Sequence, residues 1–246
     1  MRRFFVEKRN ISGGRLTIIN EEAHHMKDVI RLKNNDKFIA FDGEGSQYIC
    51  RIRSLSADKI EAIIEEKKKT TIKIPDVTLA CAIPKSSKMD DLIQKAAELR
   101  VKTLIPILTA RGIVKISQDK IGAKIKRWEK IAKESSKQCG RDDVLKIKEP
   151  GDFKEVVSDS NNYKLKLIPC ICDDAKPIKT TLAAIKAESV LILVGPEGDF
   201  APAEVELAKS FNFVPVSLGP VVLRVDTACF YILSIIMYEL FCDENL

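Results

Sequence analysis

The sequence is poor in the residue types on which catalytic and metal centres are most often built. Its two histidines, His24 and His25, are adjacent. Neighbouring positions on a helix point about 100° apart, so the pair does not readily share a metal ion. A Ser-His-Asp triad would have to recruit one of them, and hydrolase chemistry is not expected. The seven cysteines, Cys50, Cys81, Cys139, Cys170, Cys172, Cys229 and Cys242, contain no Cys-x-x-Cys pair. Their odd number and scattered placement in apolar runs fit free thiols in a reducing cytoplasm. Cys170-Ile171-Cys172 alternates as a strand does, which would turn the two sulfurs to opposite faces, so no metal site is expected. Long apolar runs are also missing. The longest, Ala228 to Tyr238, is about half of the roughly 20 residues a membrane span needs, and Ser234 interrupts it. The opening MRRFFVEKRN has no apolar signal segment. A cytoplasmic protein with no membrane partner is expected. Neither a Gly-Lys-Ser/Thr phosphate loop nor a Gly-x-Gly-x-x-Gly fingerprint occurs, which disfavours a nucleotide-binding oxidoreductase.

The 246 residues are 45% hydrophobic and 31% charged, ordinary for one large domain or two small ones. The net charge of +6 is unevenly spread. Residues 1–74 hold 16 basic against 11 acidic side chains, and residues 111–148 hold 12 against 5. Two basic segments suggest a polyanionic partner, although solvated lysines on exposed faces would give the same count.

Residues 1–74 read as short strands at Arg3 to Val6, Lys37 to Asp42, Gln47 to Leu55 and Lys59 to Glu66, with one helix near Glu21 to Arg31 capped by Asn20. A small β-barrel is expected. The run Lys67-Lys68-Lys69 and Pro75 mark the boundary to a second domain, residues 75–246. There, apolar strands alternate with helices: strands Val77 to Ile83, Thr103 to Leu108, Leu165 to Cys172, Ser189 to Val194 and Phe213 to Ser217. The main helices are Met89 to Leu99, Lys120 to Gln138, Phe153 to Ser158, Lys179 to Ala187, Ala203 to Phe211 and Thr227 to Phe241. This pattern means an α/β domain with a parallel sheet covered on both faces. Ligands of such sheets bind beyond the carboxyl ends of the strands.

Four segments stand there. Leu193-Val194-Gly195-Pro196-Glu197-Gly198-Asp199-Phe200 runs from an apolar strand through two glycines to a helix start. Glycine lets a ligand approach the backbone, and free N–H groups at the helix start can receive its polar atoms; a tight turn holding no ligand is the open alternative. Val216 to Thr227 contains Leu218-Gly219-Pro220 and then Arg224, flanked by apolar residues. That guanidinium either pairs with an acid or meets an anion. Asp226 suits an N-cap. Lys85-Ser86-Ser87-Lys88 stands at a strand end, where phosphate contacts and plain exposure both fit. Lys95 and Glu98 read as a surface ion pair. The helix from Arg127 to Cys139 ends at Gly140, with Trp128 on its packing face and Lys130, Lys133, Lys137 and Arg141 as the nucleic-acid-facing set.

Taken in order, these segments resemble the ribosomal RNA small subunit methyltransferase E group of the SPOUT methyltransferases. The resemblance runs almost end to end: Arg2-Arg3-Phe4-Phe5, His25-Met26-x-x-Val29-x-Arg31, Lys88-Met89, Gln94-Lys95-x-x-Glu98-Leu99, Gln138-Cys139-Gly140-Arg141, Gly195-Pro196-Glu197-Gly198, and Leu218-Gly219-Pro220-x-x-Leu223-Arg224. It implies an N-terminal PUA-like RNA-binding barrel, a C-terminal domain tied in a trefoil knot, and a homodimer. It also implies S-adenosyl-L-methionine as cofactor and methylation of N3 of a uridine in 16S rRNA. Leu193, Gly195, Glu197, Gly198, Leu218, Gly219 and Leu223 would then bind the cofactor. Arg224 and Glu197 are the catalytic candidates. Arg2, Arg3, Arg31, Lys33, Lys85, Lys88 and Arg141 would grip the rRNA or the small ribosomal subunit. Three positions depart from the family pattern: Asp199 stands where glycine is usual, Val221 where arginine is, and Asp226 where glutamate is.

Overall fold

The computed structural model describes residues 1–56, 58–69, 75–84, 88–112, 118–183 and 187–241. Lys85 with its two serines, Cys242 and residues 70–74 at the expected boundary lie outside them. The chain sorts into two compact units, Met1–Ile72 with Lys133–Val144, and Lys73–Ala132 with Leu145–Leu246.

The first unit is built on β1 (Arg3–Phe5), β2 (Ile11–Ser12), β3 (Arg15–Ile19), a short helix α1 (Asn20–His24), β4 (Lys37–Phe41), β5 (Ser46–Leu55) and β6 (Lys59–Lys69). Its mixed sheet has the order β1-β4-β5-β6-β3-β2, with β1 parallel to β4 and the other pairs antiparallel. The two end strands do not pair, so the expected barrel is an open half-barrel. Alternation explains its inner face. Tyr48, Cys50 and Ile52 on β5 and Ile60 and Ala62 on β6 point the same way and are buried with Phe4, Leu16, Met26 and Phe38. The expected helix is shorter than Glu21 to Arg31, and its second half is a π-helical turn, His25–Val29. Asn20 does not cap it. That residue has a left-handed backbone, φ +60°, and its N–H donates to the Asp58 carbonyl.

The second unit contains β7 (Asp76–Ala82), α2 (Lys88–Glu98), β8 (Thr103–Leu108), most of α3 (Gln118–Cys139), β9 (Lys146–Ile147), β10 (Gly151–Asp152), α4 (Phe153–Ser158), β11 (Leu165–Pro169), β12 (Lys176–Pro177), α5 (Ile178–Leu182), β13 (Ser189–Val194), α6 (Pro202–Ser210), β14 (Val214–Ser217) and α7 (Val225–Phe241). Every strand pair in it is parallel. The order is β10-β8-β7-β13-β11-β14-β12, with β9 beside β8. β7 and β13 are buried almost throughout, as central strands covered on both faces must be. α2 turns Met89, Leu92, Ile93, Ala96 and Ala97 inward at helical spacing. α7 packs on α2, β7 and β13; its Val225, Cys229, Ile232, Leu233 and Ile236 are buried, and Tyr231 and Tyr238 are exposed. Among the described residues no helix is long and apolar enough to cross a membrane.

Candidate active site

In the sheet, β11 lies between β13 and β14, and all three run the same way. Their carboxyl ends therefore open on one edge, and the three following loops wall a cavity of about 500 Å³. The first loop begins at Gly195, the second at Cys170 and the third at Leu218. Of the seven expected cofactor positions, Gly195, Glu197, Gly198, Leu218, Gly219 and Leu223 stand on this wall. Leu193 does not. It is fully buried inside β13, and its neighbour Val194 reaches the cavity instead, because successive strand residues face opposite sides.

Each glycine of the pocket has its own reason. A Cβ on Gly195 would lie 3.0 and 3.1 Å from ring carbons of Phe200 and 3.2 Å from its nitrogen. Phe200 is itself buried against Phe153. Gly219 has open space around it but a φ of +128°, which side chains rarely adopt. Gly198 sits near Arg111, whose guanidinium donates to the carbonyl oxygens of Gly198 and Phe200 at 2.9 and 3.3 Å. Asp199 has a left-handed backbone, φ +59°. Its carboxylate accepts from the N–H of Phe200 at 2.8 Å and from the N–H of Ile171 at 2.9 Å, so it straps the first loop to the second. Neither Arg111 nor the strapping role of Asp199 was read from the sequence. Arg111 was findable, because it follows the carboxyl end of β8.

The second loop corrects the reading of the cysteine pair. β11 ends at Pro169, so Cys170 and Cys172 lie in a loop, not on a strand, and their sulfurs meet at 2.9 Å on the cavity wall. Burial and the contact with Cys172 push the Cys170 thiol well above its usual range, and burial raises Cys172 as well.

Arg224 is exposed; its carbonyl accepts from the Ala228 N–H at 2.8 Å, while its guanidinium has no hydrogen bond or ion pair to any described residue. It stands between Leu223 and Val225, both on the wall. α7 begins at Val225, so Asp226 lies inside the first turn and is not the cap. There its carboxylate takes both oxygens to Lys88 Nζ, at 3.0 and 3.1 Å. Burial works to raise its pKa, but the hydrogen bond and charge of Lys88, with backbone N–H groups, outweigh burial and hold it below the usual carboxylate range. Lys88 is thus engaged inside the second unit.

The other basic candidates divide the same way. Arg2, Arg31 and Lys33 are exposed. Arg3 donates to Gln47 and to the Arg141 carbonyl, pairs with Asp142, and stacks over Phe41. Arg141 was expected on the RNA-facing side but is 1% exposed, with its guanidinium forked onto Asp143. Lys137 is half-buried and pairs with Glu22 and Glu134.

The chain matches an RNA methyltransferase domain family over residues 71–237 and an RNA methyltransferase PUA domain over residues 18–65. It is 32% identical to the ribosomal RNA small subunit methyltransferase E of Bacillus subtilis, over 97% of both chains. This chain belongs to the ribosomal RNA small subunit methyltransferase E family. The Aquifex aeolicus member is 30% identical over 95% of this chain and 98% of its own. The crystal structure of the Neisseria gonorrhoeae enzyme, bound to S-adenosyl methionine, superposes with a TM-score of 0.84 at 26% identity, covering 97% of each chain. The family's PUA and RNA methyltransferase parts thus coincide with a mixed half-barrel and an all-parallel sheet.

Two outcomes follow for this site. Gly195→Ala should cost about 1–3 kcal/mol, because Phe200 has to move; urea unfolding measures it, and an unchanged midpoint would show that the loop yields freely. Because the folded pKa of Asp226 is depressed, its contribution to stability is present above its unfolded value of about 3.9 and is lost as pH falls through the folded value. The gap in melting temperature between the wild type and Asp226→Asn should therefore be widest near neutrality and close at the acid end. A gap independent of pH would count against the Lys88 pairing.

Proposed function

We propose that this chain is an S-adenosylmethionine-dependent methyltransferase acting on N3 of a uridine in 16S rRNA. The observation that carries the reading is the meeting of the Gly195 and Gly219 loops in one cavity, within a chain of this family. The residues present fit the cofactor. About 500 Å³ lies inside the range of roughly 300–1,000 Å³ for small-molecule sites. Val194, Leu218 and Leu223 offer an apolar slot, bared backbone at the glycines offers polar edges, and two carboxylates suit a cation. When bound, S-adenosylmethionine supplies an electrophilic methyl group on a positively charged sulfur.

The chain has the other half of the work. N3 of uridine holds a proton at neutral pH and is a poor nucleophile until that proton leaves. Arg224 is proposed to stabilise the negative charge that develops on the uracil oxygens. Glu197, exposed on the wall, contacts the cofactor or orders the loop. N3 is a pairing position, so the base has to be unpaired or turned out to be reached. In this reading residues 1–74 form the RNA-holding domain and residues 75–246 the methyltransferase domain, with its trefoil knot. Arg2, Arg31 and Lys33 are the exposed cations proposed to meet rRNA phosphates, with binding that weakens as salt rises. Tyr231 and Tyr238 on α7 are proposed to cover one another's faces in a homodimer.

Purified protein, S-adenosylmethionine and small ribosomal subunits or free 16S rRNA should yield N3-methyluridine, read by mass spectrometry of the digested RNA. Methylation of tRNA alone would move the substrate to another RNA, and no methylation of either would end the proposal. Arg224→Ala should lower kcat by on the order of 100-fold while cofactor affinity stays within about threefold. Equal losses in both would make Arg224 a binding residue.

A further inference from the structure

Two side chains with full charges stand on the cavity wall among the described residues, Glu197 and Asp199, and both are acidic. Neither Arg111 nor Arg224 is part of the wall. The two carboxylates differ in how they are held. Glu197 is exposed on the loop. Asp199 is half-buried, and each of its oxygens accepts a backbone N–H, one from its own loop and one from the facing loop. Its charge is therefore fixed at the wall. The backbone there is left-handed, a conformation that aspartate tolerates better than most side chains because its carboxylate accepts from nearby backbone N–H groups, as it does here.

Methyl transfer changes the donor at one atom. A sulfonium becomes a thioether, and a unit of positive charge is lost from the ligand. We propose that Asp199 is a specificity-determining residue that makes this cavity favour the cationic donor S-adenosylmethionine over its uncharged-sulfur product, S-adenosylhomocysteine. The inference rests on the methyl-donor reading of the cavity. A fixed carboxylate in a half-enclosed site attracts a cation and is indifferent to a neutral sulfur of the same shape. It therefore lowers the share of enzyme held by product without asking anything new of the rest of the ligand, which both molecules share.

Calorimetric titration of the full chain with each ligand tests this without any turnover. Asp199→Asn keeps the shape and can still accept from Ile171 through its one amide oxygen, while it removes the charge and the acceptance from the Phe200 N–H. It should weaken S-adenosylmethionine binding by about three- to tenfold and change S-adenosylhomocysteine binding by less than about twofold, with the difference shrinking as salt is added. Asp199→Gly, which also relieves the left-handed backbone, should lose the same preference; it covers the case in which the asparagine variant folds poorly. Equal weakening of both ligands in either folded variant would leave Asp199 as a strap only and overturn the inference, as would no change in either. If the wild type binds neither molecule, the methyl-donor reading falls and this inference with it; if it binds both and the ratio of the two constants does not respond to the charge, only the inference falls.

Discussion

Everything at the cavity depends on one alignment: β13, β11 and β14 run in the same direction side by side. Parallel neighbours must leave the sheet at the same edge, and strands lie only about 4.8 Å apart. Loops from residues nearly fifty positions apart in sequence are thereby forced into each other's company. Such crowding selects the residues that can live there. Gly195 yields its side chain to the Phe200 ring, Gly219 takes a backbone that other residues rarely adopt, and Asp199 reaches across to hold the neighbouring loop.

The parts of the fold legible in the sequence are those with continuous apolar runs. Thr103–Leu108 and Ser189–Val194 are bounded by polar or glycine residues and end where their composition changes. Arg15–Ile19 escaped notice because it is short and begins on an exposed arginine, and its pairing with β6 is a long-range event. The Leu165 strand stops at Pro169, earlier than its composition suggests; beyond it the chain turns to bring Cys170 and Cys172 together. At the cavity, glycine is readable because its reasons are local. Leu193 was misplaced by one residue, the smallest step that moves a strand side chain from one face to the other. Asp199 drew notice only as a departure from a pattern, since a strap between two loops has no signature in either loop alone.

Charge was the least legible quantity. The basic excess in the two segments suggested a polyanionic partner. Part of that excess is engaged internally, Arg3 with Asp142, Lys137 with Glu22 and Arg141 with Asp143, and outside the two segments Lys88 is engaged with Asp226. A count of lysines and arginines cannot separate these from Arg2, Arg31 and Lys33, which remain exposed. The distinction rests on acids that sit far away in sequence, as with Glu22 and Lys137, or so near that no periodicity reveals them, as with Arg141 and Asp143.

The stretch Lys133–Val144 lies in the middle of the chain yet packs with the N-terminal unit. There it supplies the acid for Arg3, the amine for Glu22 and the carbonyl that receives the Gly45 N–H, while Lys133 rests over the Phe5 ring. A fragment trimmed after the first seventy or so residues would strand those partners. Separation of the two units in evolution or by a protease is thus opposed by connectivity itself: the polypeptide has to leave, return and leave again before either half is whole.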